Sequence, residues 1–276
     1  MIVICIEGCH GCGKTELSKQ FQDAGFWVLD EAFLDMPEYA LHPQSLLMET
    51  TWVCCWFERL LRRADECKNA GVPHEQQVFI ADRSPFSAVF YAQNGKGALL
   101  EPIIREHVRE LRESAQIEIY TVYLQVEKEI LWARIQERLA REPHREKYNE
   151  GDREWMEKTL GFYEGFEWDA TITNNEENAI ASVMDGVVST IAGRSALFRR
   201  AVTEAEEAVD ETLEEKAALG VLSGKAGAGA ALPATTTPPP AGGSKTKSKL
   251  AALGTSPTDP AEFQPDREIS PAAKAR

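Results

Sequence analysis

Eight residues near the start of the chain, Gly8-Cys9-His10-Gly11-Cys12-Gly13-Lys14-Thr15, have the types and spacing needed to hold a row of phosphates. They satisfy the pattern G-x-x-x-x-G-K-[ST] at every fixed position. Glycines let the backbone curl so that successive N–H groups turn toward an anion, and a helix beginning at the loop adds positive potential. Lys14 would reach the β- and γ-phosphates, and the Thr15 hydroxyl would ligate Mg²⁺. The apolar run Ile2–Glu7 precedes the loop and the helical spacing of Lys14–Ala24 follows it, which is the context this motif requires. Cys9 and Cys12 with His10 between them suggest a metal site, but structural zinc needs four ligands and no second pair completes the set.

Two further groups could take part in the same chemistry. The run VFIADRSPFSAVFY, residues 78–91, is a hydrophobic strand ending in Asp82 and Arg83. Asp82 would stand at the carboxyl edge of a sheet, beside the loop, where it can act on Mg²⁺, and Arg83 supplies a permanently charged planar donor. Farther on, Arg134, Arg138 and Arg141 recur at i, i+4 and i+7, so they share one helix face and can converge on phosphates. Glu129, Glu137 and Glu142 lie near them, and a solvated charged helix is the plainer alternative.

Strands and helices alternate through the elements that must position these groups. After Ile2–Glu7 and Lys14–Ala24, the spacing predicts a strand at Trp27–Asp30, a long helix at Pro43–Ala70 and a strand at Val78–Ala81. Helices follow at Pro85–Gln93 and Leu99–Ser114, then a strand at Ile117–Val126 and the arginine-rich helix Lys128–Arg141. A helix at Trp155–Trp168, a strand at Ala170–Thr173 and a helix at Glu176–Ile191 close the pattern, and Leu197–Leu219 adds a charged amphipathic helix. This order predicts an α/β, three-layer P-loop fold with about five parallel strands between helices. Beyond Gly220 the sequence is rich in Ala, Gly, Pro, Ser and Thr, and cannot bury enough apolar area to offset the entropy of ordering. The expected division is a P-loop domain at 1–193, an amphipathic helix at 194–219 and a disordered tail at 220–276.

On these motifs residues 1–193 resemble the deoxynucleoside kinase family, a branch close to the thymidylate kinases. Glu31 in WVLDEAF matches the family's catalytic Glu after the second strand, with Ala32 in place of Pro and Asp30 as a competing carboxylate. Asp82-Arg83-Ser84 matches its Glu-Arg-Ser triplet, Arg134 to Glu142 its lid, and REWMEKTLGFYEGFEW its closing aromatic helix. The resemblance implies catalysis by Glu31, Arg83, Lys14 and Arg138. ATP would then lie against residues Gly8 to Thr15 and Arg134, Arg138 and Arg141, with Mg²⁺ at Thr15 and Asp82. It also implies substrate contacts from Glu31, Glu49, Trp52, Arg83, Ala88 and Glu142. The family's base-reading Gln has no clear counterpart; Glu49 or Trp52 falls nearest. Ala88 stands where cytidine- and purine-preferring members carry Asp, which points toward thymidine.

The implied reaction is transfer of phosphate from ATP to the 5′-hydroxyl of a nucleoside. Its rivals are a thymidylate-type monophosphate kinase, a P-loop kinase of another small molecule, and a non-catalytic nucleotide-binding regulator. No arginine precedes Glu31, which favours the nucleoside as acceptor. The 276-residue chain has a formal charge of −14 and pI near 4.9, which argues against a nucleic-acid polymer as partner. The last 57 residues carry a net +3, so the acidity lies in the rest. All six cysteines fall in the first quarter, which does not read as a secreted disulfide framework. No apolar run reaches the ~18 residues of a membrane helix. A reducing cytoplasmic location, and a homodimer through the helix at 43–70, are the remaining expectations.

Overall fold

The computed structural model describes residues 1–30, 40–176 and 180–204. Five strands form one sheet: β1 (Ile2–Glu7), β2 (Trp27–Leu29), β3 (Val78–Asp82), β4 (Glu118–Gln125) and β5 (Ala170–Thr173). Their order is β2-β3-β1-β4-β5, and every pair is parallel. The helices are α1 (Lys14–Asp23), α2 (Leu46–Asn69), α3 (Ser87–Tyr91), α4 (Glu101–Ser114), α5 (Lys128–Arg141), α6 (Arg153–Gly165) and α7 (Ile180–Arg194). Short 3-10 turns lie at His74–Gln76, Gln93–Leu99 and Pro143–Tyr148.

The period of two along β1 decides which helices cover which face. Ile2, Ile4 and Ile6 pack with Leu17 and Phe21 of α1, Leu131 and Ile135 of α5, Met156 and Leu160 of α6, and Val183 and Val187 of α7. Met1, Val3 and Cys5 pack instead with Val53 and Trp56 of α2, Ala88 of α3 and Ile104 of α4. Successive strand side chains point to opposite faces, so one strand serves both cores. Each fully buried Ile contributes about 1.5–3 kcal/mol relative to exposure. All six residues of β1 are buried, as a central parallel strand requires.

From β1 the chain goes to β3 and β2 on one side and to β4 and β5 on the other. A crevice therefore opens at the carboxyl end of β1, where such sheets bind ligands. Gly8–Gly13 follows β1 directly into that crevice.

The five strands fall where the sequence puts them, within one residue at each end. The helices differ more. α3 is little more than one turn, because Ala92 leaves the helical region at φ −61° and ψ 120°, and Gly97 then packs so close to Val89 that a Cβ would meet its carbonyl oxygen at 1.9 Å. α6 begins two residues early because the Asp152 carboxylate accepts from the N–H groups of Glu154 and Trp155. It ends at Gly165, and Trp168 folds back to donate from Nε1 to the Tyr163 carbonyl at 2.7 Å. Packing also continues past residue 193. Ser195 accepts the Phe198 N–H at 3.0 Å, starting helical residues 196–204, and Phe198 and Ala201 join the core beneath α1 and α7. The tail at 220–276 lies outside the described residues.

Candidate phosphate-transfer site

The loop has the backbone its glycines predict. Gly8, Gly11 and Gly13 have φ of 145°, 81° and 101°, conformations that side-chain-bearing residues rarely adopt. Space is equally restrictive: a Cβ on Gly13 would sit 2.8 Å from Asn174 Nδ2, and one on Gly11 would sit 2.8 Å from Ile135 Cγ1. Asn174, just after β5, donates from Nδ2 to the Cys12 carbonyl at 2.9 Å, and α5 lies across Gly11. The curl is thus held by two elements far away in sequence. Lys14 crosses the loop, and its Nζ donates to the carbonyls of Gly8 at 2.8 Å and Cys9 at 3.1 Å. Thr15 is exposed on the first turn of α1.

His10 is buried within electrostatic reach of a ring of four cations. Burial lowers its pKa to about 3, helped by the positive charges of Lys14, Arg83, Arg138 and Arg145. Those four come from α1, the turn after β3, α5 and the 3-10 turn at Pro143–Tyr148. Four cations from four elements thus act on one buried imidazole, a grouping of positive charge that favours an anion.

Beneath this ring lies a buried hydrogen-bond network that sequence reading did not find. Glu7, the last residue of β1, is fully buried. Its Oε1 accepts from Ser84 N at 2.7 Å, Ser84 Oγ at 2.6 Å and Ser87 Oγ at 3.2 Å. Its Oε2 accepts from Ser87 Oγ at 3.0 Å and Tyr163 Oη at 3.1 Å. Tyr163 Oη in turn accepts from Arg83 Nη1 at 2.9 Å. Burial, and next the charge of Glu7, push the Tyr163 hydroxyl well above its ordinary pKa, so it stays a donor to Glu7. Arg83 itself has φ of 71°, a costly conformation for a non-glycine residue, and its N–H donates to the Ile6 carbonyl at 3.1 Å. The available signal was a carboxylate ending a wholly apolar central strand.

The three lid arginines do not converge as their spacing suggests. Arg138 faces the ring and lies 3.6 Å from Glu142 and 4.0 Å from Glu150. Arg134 turns to the far end of β5 and donates to the carbonyls of Asn174 at 2.8 Å and Asn175 at 3.3 Å. Arg141 points outward, 70% exposed, against Glu137. Arg145, which the sequence reading passed over, takes the second place in the ring and pairs with Glu142 and, at 2.8 Å, with Glu150. Glu142 thus bridges two lid arginines, and the hydrogen bond from Arg145 holds its carboxyl below the usual range.

Of the remaining residues, Asp82 ends β3 in register with Ile6, which sets it beside the start of the loop. Glu49, Trp52 and Ala88 are all buried, Ala88 completely. Burial raises the Glu49 carboxyl to about 8, and its Oε1 has no hydrogen-bond partner. Glu31 lies outside the described residues, whereas Asp30 is exposed and bound to Arg59 of α2 at 2.7 Å.

Comparison with known proteins agrees with the loop. The sequence model described as "AAA domain" matches residues 3–162. No curated protein matches the chain. Among solved structures, deoxyadenosine kinase from M. mycoides, with dCMP and a flexible dCDP bound, is similar at 16% identity and a TM-score of 0.39. That similarity covers 69% of this chain and 99% of the kinase. The family match takes in more than half of the sequence, including the whole phosphate-binding loop and Arg83, and the chain belongs to the AAA-domain family of P-loop proteins.

Proposed function

We propose that the protein transfers the γ-phosphoryl group of ATP to the 5′-hydroxyl of a nucleoside, with a deoxynucleoside as the preferred acceptor. The observation that carries this reading is the complete phosphate-binding loop, curled at Gly8, Gly11 and Gly13 and crossed by Lys14, with the charges of Arg83, Arg138 and Arg145 acting on His10 within it. Charge that spreads over a transferred phosphoryl group needs such preorganised cations. Thr15 and Asp82 would hold Mg²⁺ beside the phosphates, where the ion would neutralise charge. The curled loop and the half-buried carboxylate at its side suit that role.

Glu31 is the proposed base for the acceptor hydroxyl. The engagement of Asp30 by Arg59 of α2 supports this choice over its neighbour. Glu49, Trp52 and Ala88 are assigned to the acceptor side and Arg134 to the nucleotide side, near Asn174. A homodimer through α2 belongs to the same proposal, since Leu47 and Leu61 on that helix are exposed. No described helix is long and apolar enough to cross a membrane.

The test is a product assay with ATP, Mg²⁺ and a panel of nucleosides and nucleoside monophosphates. The expected products are ADP and a nucleoside monophosphate, and removing the Glu31 base should slow turnover ~100–10,000-fold in Glu31→Gln but not in Asp30→Asn. Phosphorylation of monophosphates alone would replace the proposal with a thymidylate-type kinase. Turnover of neither class would refute both.

A further inference from the structure

We propose that the side chain of His10 is itself a phosphate ligand, donating a hydrogen bond from Nε2 to the terminal, transferable phosphoryl group. The backbone N–H groups of such a loop are its usual phosphate ligands; here one loop side chain has the geometry to join them. The inference rests on reading the loop as a nucleotide site. His10 is 8% exposed, and its Nε2 is shielded from solvent with no hydrogen-bond partner. Its other nitrogen, Nδ1, lies 3.6 Å from Cys9 Sγ. Burial pushes the Cys9 thiol up to about 12, so Cys9 keeps its proton and can donate it to Nδ1. With that bond made, the ring proton is on Nε2, the tautomer that this role for His10 requires. In that tautomer the unpartnered atom is a donor without an acceptor.

Its surroundings say what the acceptor would be. The charges acting on His10 from the packed elements are Lys14, Arg83, Arg138 and Arg145, all donors. None can accept a hydrogen bond. An anionic oxygen entering the ring would satisfy Nε2 and meet the four cations at once. The terminal phosphate is the best match because Lys14, which in such loops serves the β- and γ-phosphates, crosses the same loop to the Gly8 and Cys9 carbonyls and is among the charges that act on His10.

The experiment compares ATP and ADP binding to the full chain as wild type, His10→Ala and His10→Asn, and follows the His10 Nε2–H resonance by NMR. A hydrogen bond to a charged group predicts that His10→Ala weakens ATP about tenfold or more while ADP affinity changes less than about threefold. His10→Asn, which keeps an N–H donor, should recover part of the ATP affinity. In the wild type, ATP should shift the Nε2–H resonance and ADP should leave it nearly unmoved. Equal losses for ATP and ADP, no loss for either, or a resonance that ATP does not move would overturn the role of His10. If His10→Ala fails to fold, the asparagine variant and the wild-type resonance decide alone. A wild-type chain that binds neither nucleotide would overturn the nucleotide-site reading as well, a result distinct from binding that ignores His10.

Discussion

The floor and the lid of this site are both built from pairs of charged and polar groups, yet they are built in opposite ways. The floor is Glu7 with Ser84, Ser87, Tyr163 and Arg83, all buried and joined by short hydrogen bonds. The lid is Arg138, Arg145, Glu142 and Glu150, where Glu150 is buried but Glu142 is 42% exposed, both arginines are about a quarter exposed, and the two Arg138 contacts are 3.6 and 4.0 Å long. Inside a protein, a saturated polar network is rigid and expensive to break. Partly exposed ion pairs such as those of Glu142 contribute only ~0–1 kcal/mol each and exchange readily for a better anion. The difference suggests a division of labour. On the proposed function, the floor would fix Arg83 in its strained conformation before any ligand arrives, and the lid arginines would leave their glutamates for phosphate.

The largest effect should come from breaking the floor. Glu7→Ala would strand the Ser84 N–H and three hydroxyls in the core, at about 1–3 kcal/mol for each group left unsatisfied, moderated by relaxation. We expect a loss of ~3–5 kcal/mol in denaturant unfolding, together with a fall of ~100-fold in turnover of the folded fraction. Turnover within threefold of wild type in protein shown to be folded would mean that Arg83 does not depend on this floor.

Glu49 sharpens the same contrast, because it is a carboxylate as buried as Glu7 but without a hydrogen bond on Oε1. Burial raises its folded-state pKa to about 8, while the unfolded chain titrates it near the ordinary ~4.3. Between those values the folded protein holds a proton that the unfolded chain has released. Stability is therefore full below about pH 4 and declines as pH rises toward 8, with a limiting slope of ~1.4 kcal/mol per pH unit. Glu49→Gln removes the ionisation, so its melting temperature should exceed wild type most at pH 8, by less at pH 5, and match it only below about pH 4. An equal offset at pH 8 and pH 5 would show that Glu49 does not titrate in this window.

Much of this architecture can be read from the sequence, because strands and the phosphate loop are local patterns. Ile2, Ile4 and Ile6 announce one face, and Gly8, Gly11 and Gly13 announce the curl. The floor is different. The bond from Tyr163 to Glu7 joins residues 156 positions apart, and nothing local marks that tyrosine among the aromatic residues of α6. The lid fails for another reason. Helical spacing places Arg134, Arg138 and Arg141 on roughly one side, but a side spans enough angle that one arginine reaches Asn174, one the ring and one solvent. Arg145 escapes because it lies beyond α5, in a turn whose direction depends on Glu142 and Glu150.

Within the lid, Arg138→Ala should reduce turnover ~10–100-fold, the scale of losing one charge-assisted contact to phosphate, while stability moves by less than ~1 kcal/mol. The opposite pattern, lost stability with intact turnover, would make Arg138 part of the scaffold and erase the contrast with the floor.

The smallest effect should come from Arg141, three residues farther along the same helix. Its guanidinium is 70% exposed, and its ion-pair contact is the 3.9 Å approach to Glu137, one turn back. Exposed pairs at this spacing contribute ~0.3–0.5 kcal/mol, and a surface change away from buried features usually stays within about 0.5 kcal/mol. Arg141→Ala should therefore leave both melting and turnover close to wild type, within about twofold in rate, when measured beside Arg138→Ala. Because the two arginines are about 60° apart around the helix axis, a modest rotation of α5 could bring Arg141 inward. A loss of turnover in Arg141→Ala as large as that in Arg138→Ala, with melting unchanged, would indicate such a rotation on nucleotide binding. The lid would then close by turning a whole helix rather than by freeing single side chains from their glutamates.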